Sequence, residues 1–391
     1  MTLRSPRFYR VMAETPAPPQ RGKLLSNGSP VHLSTNVLRT IMTDWSINDF
    51  VTPIFSVETL RFTYETIDPF GLPILASAWL IFPQGAPGPL PLLSLQHGGF
   101  FLKSLAQSTT DREEYGFAAA FATLGYVTVV PDYLGMGDSP GYQPFDHAKS
   151  GATCVVDALR SARTLCVSNG LALNGQIFLF GYSQGGQVTM ATHRELETFH
   201  TNEFTLTASA PCAGAYDLGG VTVEGILANP SSYPTPAFFP QIVAAYLPIY
   251  NLAGTLEEIL GERYRRTLLP LLDGFHTGTQ VGGAMPSDMF KILRPDFQAD
   301  FRTNANNSLR LALSDNNLYE WTPRAPMKMF HCQGDQVVIF ANSQVAYQSF
   351  TNRGACCAEL IDPGAPNQLD HGPCSIPSLR GAMAWFQQLK H

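Results

Sequence analysis

Short apolar runs alternate with longer amphipathic stretches along most of the chain, and this alternation predicts its elements. Ser56 to Tyr64 and Leu72 to Phe82 read as an antiparallel pair about the turn Asp68-Pro69-Phe70-Gly71. A series follows: strand 91–96, helix Glu113 to Leu124, strand 126–131, helix Phe145 to Val167, strand 176–180, helix Gln184 to Thr198 and strand Thr205 to Ala210. Strands separated by helical stretches imply a mostly parallel sheet with helices on both faces, its chemistry gathered at the carboxyl edge of the strands. Residues 1–50 show few periodic signals and read as an N-terminal extension.

After Ala210 the next core strand is expected only at Met327, which marks an insertion. The expected division is a core of residues 51–215 and 326–391 and a mainly helical cap, or lid, of residues 216–325. Between Glu224 and Glu257 no residue is charged, and the stretch is dense in aromatic and aliphatic side chains, among them Phe238, Phe239 and Tyr246. Prolines at 230, 234, 236, 240 and 248 argue against a membrane-spanning helix. Two readings stay open: a lid whose apolar face lines a pocket, or simply the core of the cap.

Composition narrows the class. A chain of 391 residues, 45% of them hydrophobic, buries a substantial core. Net charge is −6 and only 14% of residues are charged, with no basic run or zinc-finger spacing, so nucleic acid is not an expected partner. Neither a phosphate-binding glycine loop nor a His-Glu-x-x-His metal motif occurs, and no metal site is expected. The seven cysteines include no Cys-x-x-Cys pair. Cys154, Cys166 and Cys332 read as small buried hydrophobes, whereas Cys374 is a candidate to bridge Cys356 or Cys357. The stretch from Met1 to Arg21 lacks the apolar run of a signal peptide. Localisation therefore stays open between a cytoplasmic protein and an exported one whose signal has been removed. The oligomeric state is equally open.

The sharpest local signal is Gly181-Tyr182-Ser183-Gln184-Gly185, set between an apolar strand and a helical stretch. A serine between two glycines there suits a strand-to-helix turn too tight for side chains on its flanks, which leaves the hydroxyl raised above the sheet. Upstream, strand 91–96 runs into His97-Gly98-Gly99-Phe100; downstream, Met327 to Cys332 leads to Gly334-Asp335, and Asp370-His371-Gly372 lies in a late loop. The order is Ser, Asp, His. Of nine histidines only His371 and the terminal His391 follow Asp335, and a chain end holds a base poorly. For the acid, Asp335 leads, with Asp370, Asp362 and Asp315 as competitors. In this scheme His371 deprotonates Ser183, Asp335 fixes the imidazole tautomer, and backbone N–H groups of Gln184 and Gly99 hold the oxyanion. Candidate pocket residues are Phe100, Tyr182, Phe238, Phe239 and Tyr246. His97, Asp132 and Tyr133 read as organisers of the loops.

These motifs, together with Pro131-Asp132-Tyr133-Leu134-Gly135-Met136-Gly137-Asp138-Ser139, Asp157-Ala158-Leu159-Arg160 and Asn317-Leu318-Tyr319 before Trp321 and Pro323, resemble the α/β-hydrolase family of secretory lipases and esterases, the fungal lipase A type with its bacterial relatives. The resemblance covers roughly residues 50–390. It implies the α/β-hydrolase fold, hydrolysis of a small-molecule or lipid ester, a helical cap and no cofactor. The chain departs from the family's His-Gly-Gly-Gly by reading Gln96-His97-Gly98-Gly99-Phe100. A serine peptidase or amidase, an acyltransferase, and a non-catalytic binding protein are the alternatives.

Overall fold

The computed structural model describes residues 20–107, 113–252 and 256–391. Among these residues ten strands form one sheet: β1 (Leu24–Asn27), β2 (Val31–Leu33), β3 (Val57–Ile67), β4 (Pro73–Pro83), β5 (Leu90–Gln96), β6 (Val127–Pro131), β7 (Leu173–Tyr182), β8 (Leu206–Cys212), β9 (Met327–Phe330) and β10 (Ala358–Ile361). Their spatial order is β1-β3-β4-β6-β5-β7-β8-β9-β10, with β2 also on β3. Pairing is antiparallel through β4–β6 and parallel from β6 across to β10. Strands β5 to β8 are apolar on both faces, as a sheet covered by helices on each side requires. Register puts Gln96 opposite Gly181, Tyr182 opposite Cys212 and Cys212 opposite Phe330, so four strand ends meet at one carboxyl edge.

Helices α1 (Thr35–Asp44), α2 (Glu113–Thr123), α3 (Ala148–Ser168) and α4 (Gln184–Phe199) belong to the first half. The extension expected over residues 1–50 is thus structured where described, with two strands and a helix; residues 1–19, including most of the stretch read for a signal, lie outside the described residues. Helix α1 was not expected: Val37, Leu38, Ile41 and Met42 do recur at helical spacing, but its Thr, Val and Ile are weak helix formers. Tertiary packing holds it instead: Leu38 and Met42, one turn apart, are fully buried in the apolar cluster where α1 meets α2, and Ser34 caps its first turn by accepting from the Val37 N–H at 3.3 Å.

Between β8 and β9 the chain passes through α5 (Val223–Ala228), α6 (Phe238–Tyr250), α7 (Leu256–Ile259), α8 (Glu262–Thr267), α9 (Gly278–Gly283), α10 (Pro295–Thr303) and α11 (Ser308–Ser314). This helical insertion has its own apolar cluster, in which Phe239, Phe290 and Phe301 pack ring against ring. Helices α12 (Ala341–Asn352) and α13 (His371–Leu389) complete the fold. Among the described residues no helix is long and apolar enough to cross a membrane.

Candidate active site

Ser183 stands between the last residue of β7 and the first of α4, with φ 61° and ψ −124°. That conformation is strained for a non-glycine residue, and the surroundings that impose it are visible. A Cβ on Gly181 would lie 2.3 Å from the Gly185 carbonyl oxygen, and one on Gly185 would lie 2.0 Å from that of Gln96. Glycine is the residue that lets the turn close against β5. The turn is held by the Ser183 N–H, which donates to Cys212 O at 3.0 Å.

The loop after β9 carries Asp335, and α13 begins at His371. His371 Nδ1 and Asp335 Oδ2 are 2.6 Å apart. Asp335 Oδ1 accepts from the N–H groups of Val337 and Val338, and Oδ2 also lies 3.2 Å from His331 Nε2. His331 Nε2 is 2.8 Å from the Val338 carbonyl, which can only accept, so that nitrogen carries the proton. Burial opposes the Asp335 charge, but hydrogen bonds from His331 and His371 outweigh it and bring its pKa down to about 2. With Nδ1 donating to Asp335, Nε2 of His371 is left as the basic nitrogen. Among the described residues no hydrogen bond joins it to Ser183, a contact that commonly tightens only around substrate.

The competing carboxylates have other partners. Asp370 caps α13, accepting from the N–H groups of His371 at 2.7 Å and Gln336 at 2.9 Å. Asp362 accepts from the Gly364 N–H, and Asp315 from the Tyr250 hydroxyl. Two sequence expectations are corrected here. The 370–372 segment is the start of a helix, not a loop, because Asp370 supplies the N-cap. And Cys374 bridges Cys332, with 6.0 Å between their Cα atoms, leaving Cys356 and Cys357 as free thiols. Cys332 is therefore no mere buried hydrophobe: the fold sets the end of β9 beside the first turn of α13.

At the end of β5, His97 lies within hydrogen-bond distance of the Gly98 and Asp132 carbonyls and stacks on Tyr133, whose hydroxyl donates to His97 O. The Gly98 N–H donates to Glu114 Oε1 at 2.8 Å. The N–H groups of Gly99 and Gln184 have no such acceptor among the described residues, and both residues line the same cavity as Ser183. Gln184 also opens α4, where the helix dipole favours negative charge.

That cavity runs from Ser183 up into the helical insertion and encloses about 800 Å³, its mouth included. Phe238, Phe239 and Ile242 of α6, Ile226 of α5 and Phe290 and Phe301 beyond give it apolar walls. Three of the expected pocket residues lie elsewhere. Phe100 stacks on His97, 4.5 Å between ring centroids. Tyr182 points away from Ser183, as successive residues at a strand end do, and its hydroxyl donates to His371 O at 2.6 Å. Tyr246 shares the cavity-facing side of α6 but sits a turn beyond, fully buried, with its hydroxyl donating to Asp146 O at 2.9 Å. Sequence reasoning missed Phe145 and Asp146, which enter the lining from the loop before α3. The positive φ of Asp146, 53°, is invisible in a sequence. Among the described residues no three of His, Cys, Asp and Glu are grouped to hold a metal ion.

Comparison with known proteins places the fold. The sequence pattern of the alpha/beta hydrolase family matches residues 67–364. The chain belongs to the alpha/beta hydrolase family. No curated protein matches the sequence of this hydrolase. Among solved structures it is similar to the rice cell wall degrading esterase LipA from Xanthomonas oryzae, at 29% identity and a TM-score of 0.79 over 95% of this chain and 96% of that one. A putative hydrolase from Legionella pneumophila matches at 23% identity and a TM-score of 0.85, covering 94% of this chain and 98% of that one. Candida antarctica lipase A in its closed state shares the fold at 14% identity and a TM-score of 0.69, covering 94% of this chain and 82% of that one.

Proposed function

We propose that this hydrolase is a serine carboxylic-ester hydrolase acting on apolar acyl esters, with Ser183 as nucleophile, His371 as general base and Asp335 as the residue that orients it. The observation that carries the reading is the 2.6 Å pair of His371 Nδ1 and Asp335 Oδ2, formed at the sheet edge from which Ser183 meets an apolar cavity. Ser183 Oγ attacks the ester carbonyl carbon while its proton passes to His371 Nε2. The oxyanion accepts hydrogen bonds from the N–H groups of Gln184 and Gly99. His371 then protonates the departing alkoxide as the C–O bond breaks, leaving an acyl-enzyme. Water, deprotonated by the same nitrogen, completes hydrolysis.

In this reading residues 51–215 and 326–391 form the catalytic core and residues 216–325 the cap over it. Phe238 and Phe239, on the cap, contact the acyl chain. That the similar Xanthomonas protein is an esterase supports esters over amides as the bond attacked here. The test pairs a graded series of p-nitrophenyl esters with an aminoacyl anilide panel, for the native protein and Ser183→Ala, and maps the residue labelled by an organophosphonate. Ester turnover lost in folded Ser183→Ala, with labelling at Ser183, is the expected result. Faster anilide cleavage would favour a peptidase or amidase, and label elsewhere with an active variant would overturn the assignment.

A further inference from the structure

Among the described residues Asp146 is the one carboxyl in the cavity lining, beside Ser183 and Gln184 in a wall otherwise dominated by apolar side chains. It is 8% exposed, and its Oδ1 has no hydrogen-bond partner among the described residues. The Asp146 carbonyl is engaged, accepting from Gln187 Nε2 at 3.0 Å and from the Tyr246 hydroxyl at 2.9 Å. The loop is therefore fixed without the carboxyl. Its φ of 53° calls for Gly, Asn or Asp. Glycine or asparagine would meet that demand without placing an ionisable group in a dry wall, so backbone conformation alone does not explain the carboxyl. Buried polar groups left unpaired are costly, and in a binding cavity the few polar groups fix the orientation of what binds.

We propose that Asp146 recognises a hydroxyl group on the ester, carried by whichever part of the substrate, acyl chain or alcohol, extends past Ser183 into this cavity. The inference rests on the serine-esterase reading of Ser183 and names the substrate class of that site. Burial raises the Asp146 pKa to about 7, so both of its forms are populated near neutrality. A hydroxyl satisfies either form, donating to the carboxylate or accepting from the acid. An ammonium satisfies only the ionised form and must itself be stripped of water among aromatic rings.

The experiment compares kcat/KM for p-nitrophenyl hexanoate with hydroxyhexanoates bearing the hydroxyl at successive carbons, and for butyl hexanoate with hydroxybutyl hexanoates. The native protein, Asp146→Asn and Asp146→Ala are each measured. The first series reads an acyl hydroxyl, the second an alcohol hydroxyl. One position in one series is expected to outrun its unsubstituted parent by about tenfold or more. Asp146→Ala should erase that ratio. Asp146→Asn, which keeps the backbone conformation and one acceptor, should retain part of it and controls for folding. Equal rates for hydroxylated and parent esters, a ratio surviving in Asp146→Ala, or a still larger preference for the aminohexanoate overturns the proposal. Absence of turnover for every ester, parents included, overturns the serine-esterase reading and this inference together, whereas turnover of the parents without hydroxyl preference overturns this inference alone.

Discussion

Cys332 and Cys374 are bonded across 42 residues of sequence, and each lies three residues from a member of the acid–base pair, Asp335 or His371. The disulfide thus clamps the loop after β9 to the first turn of α13. Closing a loop of that length removes denatured-state entropy worth about 3–4 kcal/mol. Cys374→Ser should lose stability of that order in denaturant titrations. It should also lower kcat in protein that remains folded, because the His371 ring is freed relative to Asp335. Thiol titration of the unfolded, unreduced protein should find Cys154, Cys166, Cys212, Cys356 and Cys357 reactive and no others. A count of seven would refute the bridge.

What could be read from sequence divides along a physical line. The strands ending at Gln96, Tyr182 and Phe330 are short and mostly apolar, and Gly181-Tyr182-Ser183-Gln184-Gly185 has a local steric cause, so these were legible. Helix α1 was not, because burial of Leu38 and Met42 beside α2 overrides a poor local propensity. The Cys332–Cys374 bond, the turn of Tyr182 toward His371 and the anchoring of Tyr246 on Asp146 depend on elements far apart in sequence. Asp146 was silent for a different reason: an aspartate in a loop is ordinary, and only burial without a partner makes it notable.

The acid assignment is tested by a ranking. Asp335 bonds the imidazole, whereas Asp370 bonds two backbone N–H groups. Asp335→Asn should lower kcat by about 10⁴ by favouring the wrong tautomer. Asp370→Asn, with asparagine itself a good N-cap, should change kcat little and stability by less than about 1 kcal/mol. Steady-state kinetics with a p-nitrophenyl ester decides it, and the reverse ranking would move the role to Asp370. Since Asp335 titrates at about 2, its protonation contributes nothing to loss of activity between pH 7 and about pH 4.

Asp146 gives a stability profile with a definite sign. Its carboxyl titrates near 3.9 when unfolded and at about 7 in the fold, because burial disfavours the charge. Between these values the unfolded chain has released the proton and the folded one still holds it, so stability falls as pH rises. Below about pH 4 the term is absent, and above about pH 7 it is constant. The stability difference between Asp146→Asn and the native protein should therefore move in favour of the variant by about 1.4 kcal/mol per pH unit across that window. Denaturant midpoints at pH 4, 5.5, 7 and 8.5 would show it; a difference flat in pH would mean that the carboxyl is solvated.

The apolar cavity makes the substrate prediction. Each methylene desolvated there contributes about 0.8 kcal/mol, so kcat/KM should rise about fourfold per added CH₂ until the chain reaches the end of the space. Phe239 is a poor probe of this rise, since it packs on Phe290 and Phe301 and a charge there would disrupt the insertion itself. Ile226 is better placed: it lines the cavity from α5 and is only partly buried, so the fold tolerates change. Ile226→Asp should flatten the chain-length profile for long acyl esters and leave acetate esters nearly unaffected, because a two-carbon acyl group held at Ser183 does not extend to the insertion. Comparison of acetate through dodecanoate esters in native and variant protein, with folding checked by circular dichroism, is the measurement. A profile that stays steep in the variant would mean that the acyl chain leaves Ser183 by another route and that the aromatic walls serve only to hold the insertion together.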